Sequence, residues 1–239
     1  MQRAPQFITG EFTPHYCFLP DEEYSRALDS IVKACSDILI CSSDSSKVFL
    51  GRRKVEPQPD WWYIGGRAKP GERPEDAAAR NVRRELGLDL PPSRFEVVGN
   101  YSFVWQFREQ PPKGNGTADL STIHRIVLND EEAASAAFDT AEYHETRWWG
   151  TDAVLAGEFH PALKRAIRDV RAADAFRKLR AAVGAEGCDG NDAAVATAAR
   201  AVVEEADARN GAAARLGFGP DDPVAVSFVG GKYVYRKVS

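Results

Sequence analysis

Apolar and polar positions in the first quarter of the chain predict one helix followed by short strands. Residues 37–41 (DILIC) and 47–51 (KVFLG) are apolar runs joined by a serine-rich segment, as in two strands connected by a turn. Residues 21–33 begin with acidic side chains and carry apolar side chains at helical spacing, which predicts a helix. Residues 61–64 (WWYI) predict a further short strand.

The segment 65–88 (GGRAKPGERPEDAAARNVRRELGL) joins a glycine-containing loop to an alanine-rich helical pattern. Pro74 suits the first turn of a helix, and Gly87 suits its end. A glycine loop that leads into a helix is a common way to present backbone groups to phosphate or metal. We expect the rest of the chain to be organised around this loop and helix.

The pattern after this segment predicts more strands and then helices. Residues 95–108, 121–129 and 145–149 are rich in β-branched and aromatic side chains, which favour strands. Residues 110–119 contain two prolines and two glycines and predict a mobile loop. Residues 160–183 have a helical pattern. This order predicts an α/β (α+β) fold with a mixed sheet between helices, not a doubly wound sheet.

The last quarter of the chain has the character of an extension. We predict a main domain at residues 1–183 and a C-terminal extension at 184–239, which holds a helix at 192–210 and a β-hairpin at 224–237. The hairpin turn is Gly230-Gly231 between two alternating arms. An isolated hairpin is marginally stable, so we expect it to pack on the core or to form a homodimer interface.

Composition narrows the class of protein. The 239 residues are 44% hydrophobic with a net charge of −4, which predicts a folded protein and argues against nucleic-acid binding. The four cysteines form no C-x-x-C pair, as expected of thiols in a reducing compartment. No apolar run could span a bilayer, and the N-terminus has no apolar signal core. We therefore expect a soluble, cytoplasmic protein with no membrane partner.

The spacing within residues 65–88 resembles a Nudix box. That family's pattern places a glycine, a glutamate, an Arg-Glu pair, a Glu-Glu pair and a final glycine at fixed intervals. The matching residues are Gly66, Glu72, Arg80, Val82, Glu85, Gly87 and Leu88. The sequence departs from the pattern at Asn81 and Arg84, where the family has glutamates.

The two departures change the charge of one helical face. Positions 81, 84 and 85 are related as i, i+3 and i+4 and therefore share a face. Asn81 and Arg84 make this face three charge units more positive than three glutamates would, which argues against a cluster of several metals. One Mg²⁺ remains compatible with Glu85, because that ion often takes one or two carboxylates plus substrate phosphates and waters.

Further segments resemble one group within this family, the GDP-mannose mannosyl hydrolases. They are residues 58–67 (QPDWWYIGGR), 84–88 (RELGL), 104–106 (VWQ) and 147–148 (RW). The resemblance implies a Nudix-type α/β/α sandwich with a mixed sheet. It also implies a reaction in which water attacks the anomeric carbon of a nucleoside diphosphate sugar, with inversion and release of the nucleoside diphosphate.

The resemblance also implies a metal site. Glu85 and the backbone carbonyl of Gly65 are expected to bind Mg²⁺, with Mn²⁺ as an alternative. The family's additional ligand falls at Glu142 or Tyr143.

The resemblance implies roles for catalytic and substrate-binding side chains. His144 is the expected base, although an alignment without a gap puts Tyr143 in that place. Arg53, Arg67 and Arg80 are expected to hold the diphosphate, and Asp37 the sugar. Tyr101 or Trp105 could stack on the base. Arg84 either faces solvent or supplies the positive charge of a missing metal.

Three functional hypotheses follow. The first is a magnesium-dependent hydrolase of nucleotide sugars, with GDP-mannose or GDP-glucose first, that cleaves at the sugar carbon. The second is an ordinary Nudix diphosphatase that cleaves at phosphorus with replacement carboxylates such as Glu142 and Glu145. The third is a catalytically silent module that binds a nucleotide or a protein, and Arg84 is the feature that favours it.

Overall fold

The computed structural model of the 239-residue chain describes residues 5–136, 142–184, 192–214 and 223–238. These residues fall into two compact units, Met1–Asp152 and Ala153–Ser239. The domain boundary predicted between residues 183 and 184 lies inside the second unit. The two-domain division at that point stays a prediction.

The first unit is built around a seven-stranded sheet. Its elements are α1 (Asp21–Leu28), β1 (Lys33–Cys41), β2 (Lys47–Arg53), β3 (Trp61–Trp62), β4 (Ile64–Arg67), α2 (Pro74–Leu86), β5 (Glu96–Trp105), β6 (Thr117–Val127), α3 (Asp130–Ser135) and β7 (Tyr143–Gly150). The strand order is β3-β2-β1-β6-β5, with β4 paired to β1 and β7 paired to β2. The β1–β6 pair is parallel and the other pairs are antiparallel. The predicted mixed α/β fold is confirmed.

Helix α2 covers one face of this sheet. Its apolar side chains Val82 and Leu86 pack against Ile38, Ile40 and Ile64 of the neighbouring strands, and all five are at most 1% exposed. Each side chain of this size contributes about 1.5–3 kcal/mol when fully buried. The helix is therefore held firmly on the sheet at the position where its polar residues meet the end of β4.

The ends of α2 follow the sequence signals. Pro74 occupies the first turn, and the Asp76 carboxylate accepts a hydrogen bond from the backbone N–H of Arg73 at 3.4 Å. Gly87 ends the helix in the left-handed region, with φ of 69°, where a residue without Cβ is favoured. The predicted start and end are both confirmed.

The loop between β5 and β6 is more closely tied to the fold than its composition suggests. Arg108 is 2% exposed and donates to the Asp29 carboxylate at 2.6 Å, to the Ser25 hydroxyl at 2.7 Å and to the Gly116 carbonyl at 3.1 Å. The Ser25 hydroxyl in turn donates to the Pro111 carbonyl at 2.5 Å. The sequence predicts that this loop is mobile, but these contacts anchor it to α1 and to the residue that follows α1.

We expect Arg108→Met to lower the free energy of unfolding by about 2–3 kcal/mol. The substitution keeps most of the side-chain volume but leaves a carbonyl and a hydroxyl inside the fold without their charged donor. Denaturant unfolding checks the value. The matched control is Arg52→Met, because Arg52 is 53% exposed and only 3.9 Å from Glu145; that surface pair contributes at most about 1 kcal/mol. Equal effects of the two substitutions would contradict the prediction.

The second unit contains the remaining elements. They are α5 (Pro161–Gly184), α6 (Asp192–Ala214), β8 (Val224–Val229) and β9 (Lys232–Lys237), preceded by α4 (Thr151–Ala156), which crosses the boundary between the units. The predicted hairpin turn is confirmed, with positive φ at Gly230 and Gly231. The hairpin packs through Tyr233, whose ring lies 5.5 Å from that of His160. Residues 185–191, predicted as a glycine-rich connection, lie outside the described residues.

No helix in the described parts of the chain is long and apolar enough to cross a membrane.

Candidate active site

The loop between β4 and α2 is held by a carboxylate and an arginine. Glu72 accepts hydrogen bonds from the backbone N–H of Lys69 at 2.7 Å and from Arg80 Nε and Nη2 at 2.6 and 2.8 Å. Arg80 also donates to the Arg67 carbonyl at 2.9 Å. Burial alone raises the pKa of Glu72, but these donors outweigh it and the pKa is lowered. Arg80, predicted to hold the diphosphate, is thus engaged in shaping the loop.

Asn81 stands where the family pattern has the first of the two missing glutamates, and its side-chain amide forms hydrogen bonds that hold the loop. Its side chain is fully buried, and Nδ2 donates to the Gly66 carbonyl at 3.1 Å, while Oδ1 accepts from Arg80 Nη1 at 3.0 Å. A carboxylate at this position would lose the donor to Gly66. Asn81 therefore serves the structure of the loop, and it does not add an anionic metal ligand.

Both carboxylate oxygens of Glu85 are occupied by protein donors. Arg84 Nη2 donates to Oε1 at 2.5 Å, and the Tyr143 hydroxyl donates to Oε2. Glu85 is 1% exposed, and burial raises its pKa against the lowering effects of both donors. Burial and the neighbouring Glu85 likewise raise the pKa of Tyr143.

The metal ligands expected from the sequence do not form an open ion site in this arrangement. Arg84 Nη2 is also 3.4 Å from the Gly65 carbonyl oxygen, so one guanidinium faces both expected ligands. Glu142, the third expected ligand, lines the same cleft as Gly65 and Arg84, and its charge raises the pKa of both Arg84 and Glu85. No group of three His, Cys, Asp or Glu side chains in the described ranges is arranged to hold a metal. Because Arg84 and Tyr143 occupy the two carboxylate oxygens of Glu85, these residues do not fit a resident Mg²⁺.

A cleft of about 380 Å³ opens beside the end of β4. Its wall comes from alternate residues of paired strands: Cys35 and Asp37 on β1 stand opposite Arg67 and Gly65 on β4, on the face away from Ile38. The other predicted site residues that line it are Arg53, Arg84, Trp105 and Glu142. The fold thus brings together seven residues predicted for the site, namely Asp37, Arg53, Gly65, Arg67, Arg84, Trp105 and Glu142, together with Tyr143, the alternative position for the base.

Asp37 is a carboxyl group that lines this cleft. Burial raises its pKa to about 6, although the Ser121 hydroxyl, which donates to Oδ2 at 2.7 Å, and the charge of Arg53 both lower it. A carboxyl group with a pKa near 6 can exchange a proton at neutral pH.

Three of the cations that line the cleft are arginines from different elements. Arg53 ends β2, Arg67 ends β4 and Arg84 lies on α2. The Arg67 guanidinium lies over the ring of Tyr24, 5.0 Å from its centroid. Arg67 and Arg84 also line an adjacent cleft of about 590 Å³ together with Tyr16 and other residues of the N-terminal segment.

His144, the residue predicted to be the base, is not among the residues that line the cleft. It is exposed, whereas its neighbour Tyr143 is buried against Glu85. The reason is a β-bulge: Arg52 pairs with Glu145 and Arg53 pairs with Tyr143, so His144 is the extra residue and faces away.

Three other predicted site residues do not line the cleft. Tyr101 packs with Phe103, with ring centroids 6.1 Å apart, and is not part of the wall. Arg80 is turned towards the loop, and Glu85 is sealed beneath Arg84 and Tyr143.

Sequence reasoning named Trp105 but missed the residues that hold it in the wall of the cleft. Trp105 Nε1 donates to the Asp119 carboxylate at 2.8 Å, Lys33 pairs with the same carboxylate at 3.0 Å, and the ring of Trp105 stacks on Phe103 at 5.0 Å. Trp62 packs edge-on against Trp105. The alternation of residues 101, 103 and 105 along β5 was the available signal for a shared face.

Curated relatives of this chain include RNA pyrophosphohydrolases. The protein of that name from Cereibacter sphaeroides strain KD131 is 28% identical over 143 residues, which cover 55% of this chain and 85% of the relative. The protein from strain ATH 2.4.9 is 27% identical over 133 residues, which cover 52% of this chain and 79% of the relative. The resemblance to GDP-mannose mannosyl hydrolases stays a prediction.

Solved structures of low sequence identity also match. A MutT NUDIX hydrolase from Burkholderia pseudomallei has a TM-score of 0.48 at 18% identity and covers 59% of this chain and 99% of its own. The MutT protein from Methanosarcina mazei Go1 has a TM-score of 0.44 at 17% identity and covers 59% of this chain and 96% of its own.

The sequence profile described as NUDIX domain matches residues 34–170. This range includes every strand of the sheet apart from the first residue of β1, together with the loop and helix that carry Glu72, Arg80 and Glu85. The match covers more than half of the chain, and the chain therefore belongs to the Nudix family.

Proposed function

We propose that the protein hydrolyses a nucleoside diphosphate sugar by directing water at the anomeric carbon and releasing the nucleoside diphosphate. The observation that carries the proposal is the cleft in which Asp37, with a pKa of about 6, faces a group of arginines. Such a site combines a base with cations for a departing diphosphate. Those are the two needs of substitution at a sugar carbon.

In this proposal Asp37 is the general base. Above pH 6 its carboxylate accepts a proton from the attacking water, and the Ser121 hydroxyl, donating to the other carboxylate oxygen, fixes its orientation. The oxygen of that water forms a bond to the anomeric carbon as the bond from that carbon to the diphosphate breaks. Attack from the opposite side inverts the configuration. Asp37 thus replaces His144, which lies outside the cleft.

Arg53, Arg67 and Arg84 stabilise the charge that develops on the leaving diphosphate. Guanidinium groups donate pairs of hydrogen bonds to phosphate oxygens and stay protonated at any pH of interest. They are fixed at the ends of β2 and β4 and on α2, so the positive charge is present before the substrate enters. Preorganised charge of this kind contributes to rate because little reorganisation is needed.

Cleavage at carbon suits this site better than cleavage at phosphorus. Nudix enzymes generally use divalent metals such as Mg²⁺, which can activate water and neutralise phosphate charge. Here the helical face that would supply the ligands carries Asn81 and Arg84, and Glu85 is bonded to two protein donors. Leaving-group stabilisation needs cations only, and arginines supply them.

Isotope labelling tests where the water attacks. The protein is incubated in ¹⁸O-labelled water with a panel of nucleotide sugars, GDP-mannose and GDP-glucose first, with and without Mg²⁺. We expect the label on the free sugar and release of unlabelled nucleoside diphosphate. Label on a phosphate, with nucleoside monophosphate and sugar phosphate as products, would contradict attack at carbon.

The names of the relatives favour a second candidate, cleavage at phosphorus in an RNA pyrophosphohydrolase reaction. An RNA oligonucleotide with a 5′-triphosphate end, included in the same panel, tests this alternative. Release of pyrophosphate from the RNA, with no turnover of nucleotide sugars, supports the alternative over our proposal. No turnover of any substrate, with measurable binding of a nucleotide, supports a silent binding module instead.

A further inference from the structure

The side chain of Arg84 occupies the place where the sequence pattern leads one to expect a metal ion. One nitrogen, Nη2, lies 2.5 Å from Glu85 Oε1 and 3.4 Å from the Gly65 carbonyl oxygen. These oxygens are the two that the resemblance assigns to a divalent ion. A positively charged guanidinium N–H group can take the place of the ion at both oxygens, because each oxygen is a hydrogen-bond acceptor.

The second oxygen of Glu85 is also unavailable to an ion. The Tyr143 hydroxyl donates to Oε2, and Tyr143 itself is 5% exposed and packed within the core beside Phe49 and Trp148. A divalent ion entering here would have to displace a buried hydroxyl and a charged donor together. The cost of leaving such groups without partners is about 1–3 kcal/mol for each neutral group and more for a charged one.

Arg84 also extends from this contact into the cleft. Its side chain is 47% exposed, so the guanidinium is bonded to Glu85 at one edge and open at another. Arg67 lines the same cleft and adds a second cation. An anion in the cleft can therefore contact Arg84 directly while Glu85 holds the guanidinium in place from behind.

We propose that Arg84 is the resident cation of this site: it replaces a divalent ion at Glu85 and Gly65, and it binds phosphate oxygens of a diphosphate directly. Glu85 is then a positioning residue that orients Arg84, and it is not a metal ligand. This proposal rests on the proposed function only for the identity of the natural diphosphate. It predicts that the site binds a diphosphate without any divalent ion.

Binding measurements on the full chain test the proposal without turnover. The first probe is Mn²⁺, followed by electron paramagnetic resonance. We expect the wild-type chain to bind Mn²⁺ only weakly, and Arg84→Gln to bind it at least about tenfold more tightly, because Glu85 Oε1 and the Gly65 carbonyl are then released. Arg84→Gln combined with Glu85→Gln is expected to lose the gain.

The second probe is inorganic pyrophosphate in excess EDTA, followed by calorimetry. We expect the wild-type chain to bind it and Arg84→Gln to bind it at least about tenfold more weakly, as for loss of one charge-assisted hydrogen bond.

Two further variants serve the Mn²⁺ measurement. Arg84→Lys keeps a charge, and we expect its Mn²⁺ binding to stay weak. The matched control is Arg83→Gln, since the neighbouring Arg83 is 64% exposed and paired with Asp89. We expect no change in Mn²⁺ affinity for this control.

The proposal is overturned if the wild-type chain binds Mn²⁺ tightly and Glu85→Gln removes that binding. Pyrophosphate binding that requires a divalent ion would overturn it as well. The pyrophosphate measurement on the wild-type chain needs no variant, so it tests the proposal even if Arg84→Gln fails to fold. Failure to hydrolyse nucleotide sugars leaves both binding results intact and bears on the proposed function alone.

Discussion

Asp37→Asn is expected to lower the rate of nucleotide-sugar hydrolysis by about 10²–10⁴-fold, the usual contribution of a general base. The amide is nearly the same size as the carboxylate and can still accept the hydrogen bond from the Ser121 hydroxyl. It cannot accept a proton from water. The cleft keeps its shape and its arginines, so substrate binding is expected to change much less than the rate.

The pH dependence of the hydrolysis rate also tests whether Asp37 is the general base. Because burial raises the pKa of Asp37 to about 6, the carboxyl is protonated and inactive as a base below that value. The rate is therefore expected to rise tenfold per pH unit up to about pH 6 and then to level off. A profile that stays flat between pH 5 and 7, or one that Asp37→Asn leaves unchanged, rules out Asp37 as the base.

The substitution is also expected to stabilise the fold. The pKa of Asp37 is higher in the folded chain than its ordinary value of 3.8, so the folded state binds the extra proton between about pH 4 and 6 and loses stability as pH rises through that window. Above pH 6 the full cost of the buried charge is present. A rise of two pKa units corresponds to at most about 3 kcal/mol, which Asp37→Asn removes.

Thermal unfolding at pH 8 and at pH 4 tests the direction of this change in stability. We expect Asp37→Asn to be more stable than the wild type at pH 8 and equal to it at pH 4. The matched control is Asp44→Asn in the turn after β1, where hydrogen bonds from Ser42 and Ser46 lower the pKa of Asp44 to about 2. That exposed carboxylate contributes stability at neutral pH, so its replacement is expected to act in the opposite direction and to leave activity unchanged.

The fold was largely predictable because its signals are local. Pro74 and Gly87 mark the ends of α2, and Gly230-Gly231 marks the hairpin turn, since each requirement concerns the backbone of one or two residues. The first helix was predicted too long: it ends at Leu28, and the apolar Ile31 that extended the pattern is 53% exposed. An apolar residue at helical spacing does not specify burial unless a partner surface exists.

The candidate site was predictable only in part, because its geometry depends on long-range pairing. The motif spacing locates Gly65, Arg67 and Arg84 on a loop and helix that meet the cleft. The orientation of His144 depends on a bulge between β2 and β7, and no short sequence pattern indicates where a bulge falls. Tyr143, the alternative position for the base, is the residue whose hydroxyl contacts Glu85.

The burial of Arg108 also depends on long-range contacts that the local sequence does not reveal. In the sequence it is one arginine at the start of a proline-rich loop, and nothing nearby predicts that it is buried. Its partners Asp29 and Ser25 lie about 80 residues earlier in the chain. Such contacts form only when α1 and the loop meet in the folded unit, so the local sequence does not indicate them.

Gly65→Ala is expected to destabilise the first unit by about 3 kcal/mol, the upper end of the cost of overpacking. A Cβ at this position would lie 2.5 Å from the Ser36 carbonyl oxygen, 2.5 Å from Asp37 Oδ1 and 2.8 Å from Asp37 Cα. Two of these atoms belong to the backbone of β1, which is paired on its other side with β6. The added methyl group cannot be accommodated by a rotamer change, so β4 must move away from β1.

That movement would also change the chemistry of the site. Displacing β4 takes the Gly65 carbonyl away from Arg84 and shifts the surroundings of Asp37, so activity is expected to fall even where the variant remains folded. Denaturant unfolding measures the stability. The matched control is Gly114→Ala, because a Cβ at Gly114 meets nothing within 4 Å and its φ lies outside the left-handed region. If Gly65→Ala proved as stable as Gly114→Ala, β1 and β4 could not be as closely paired as the structure has them, and the contact between Arg84 and Gly65 would lose its basis.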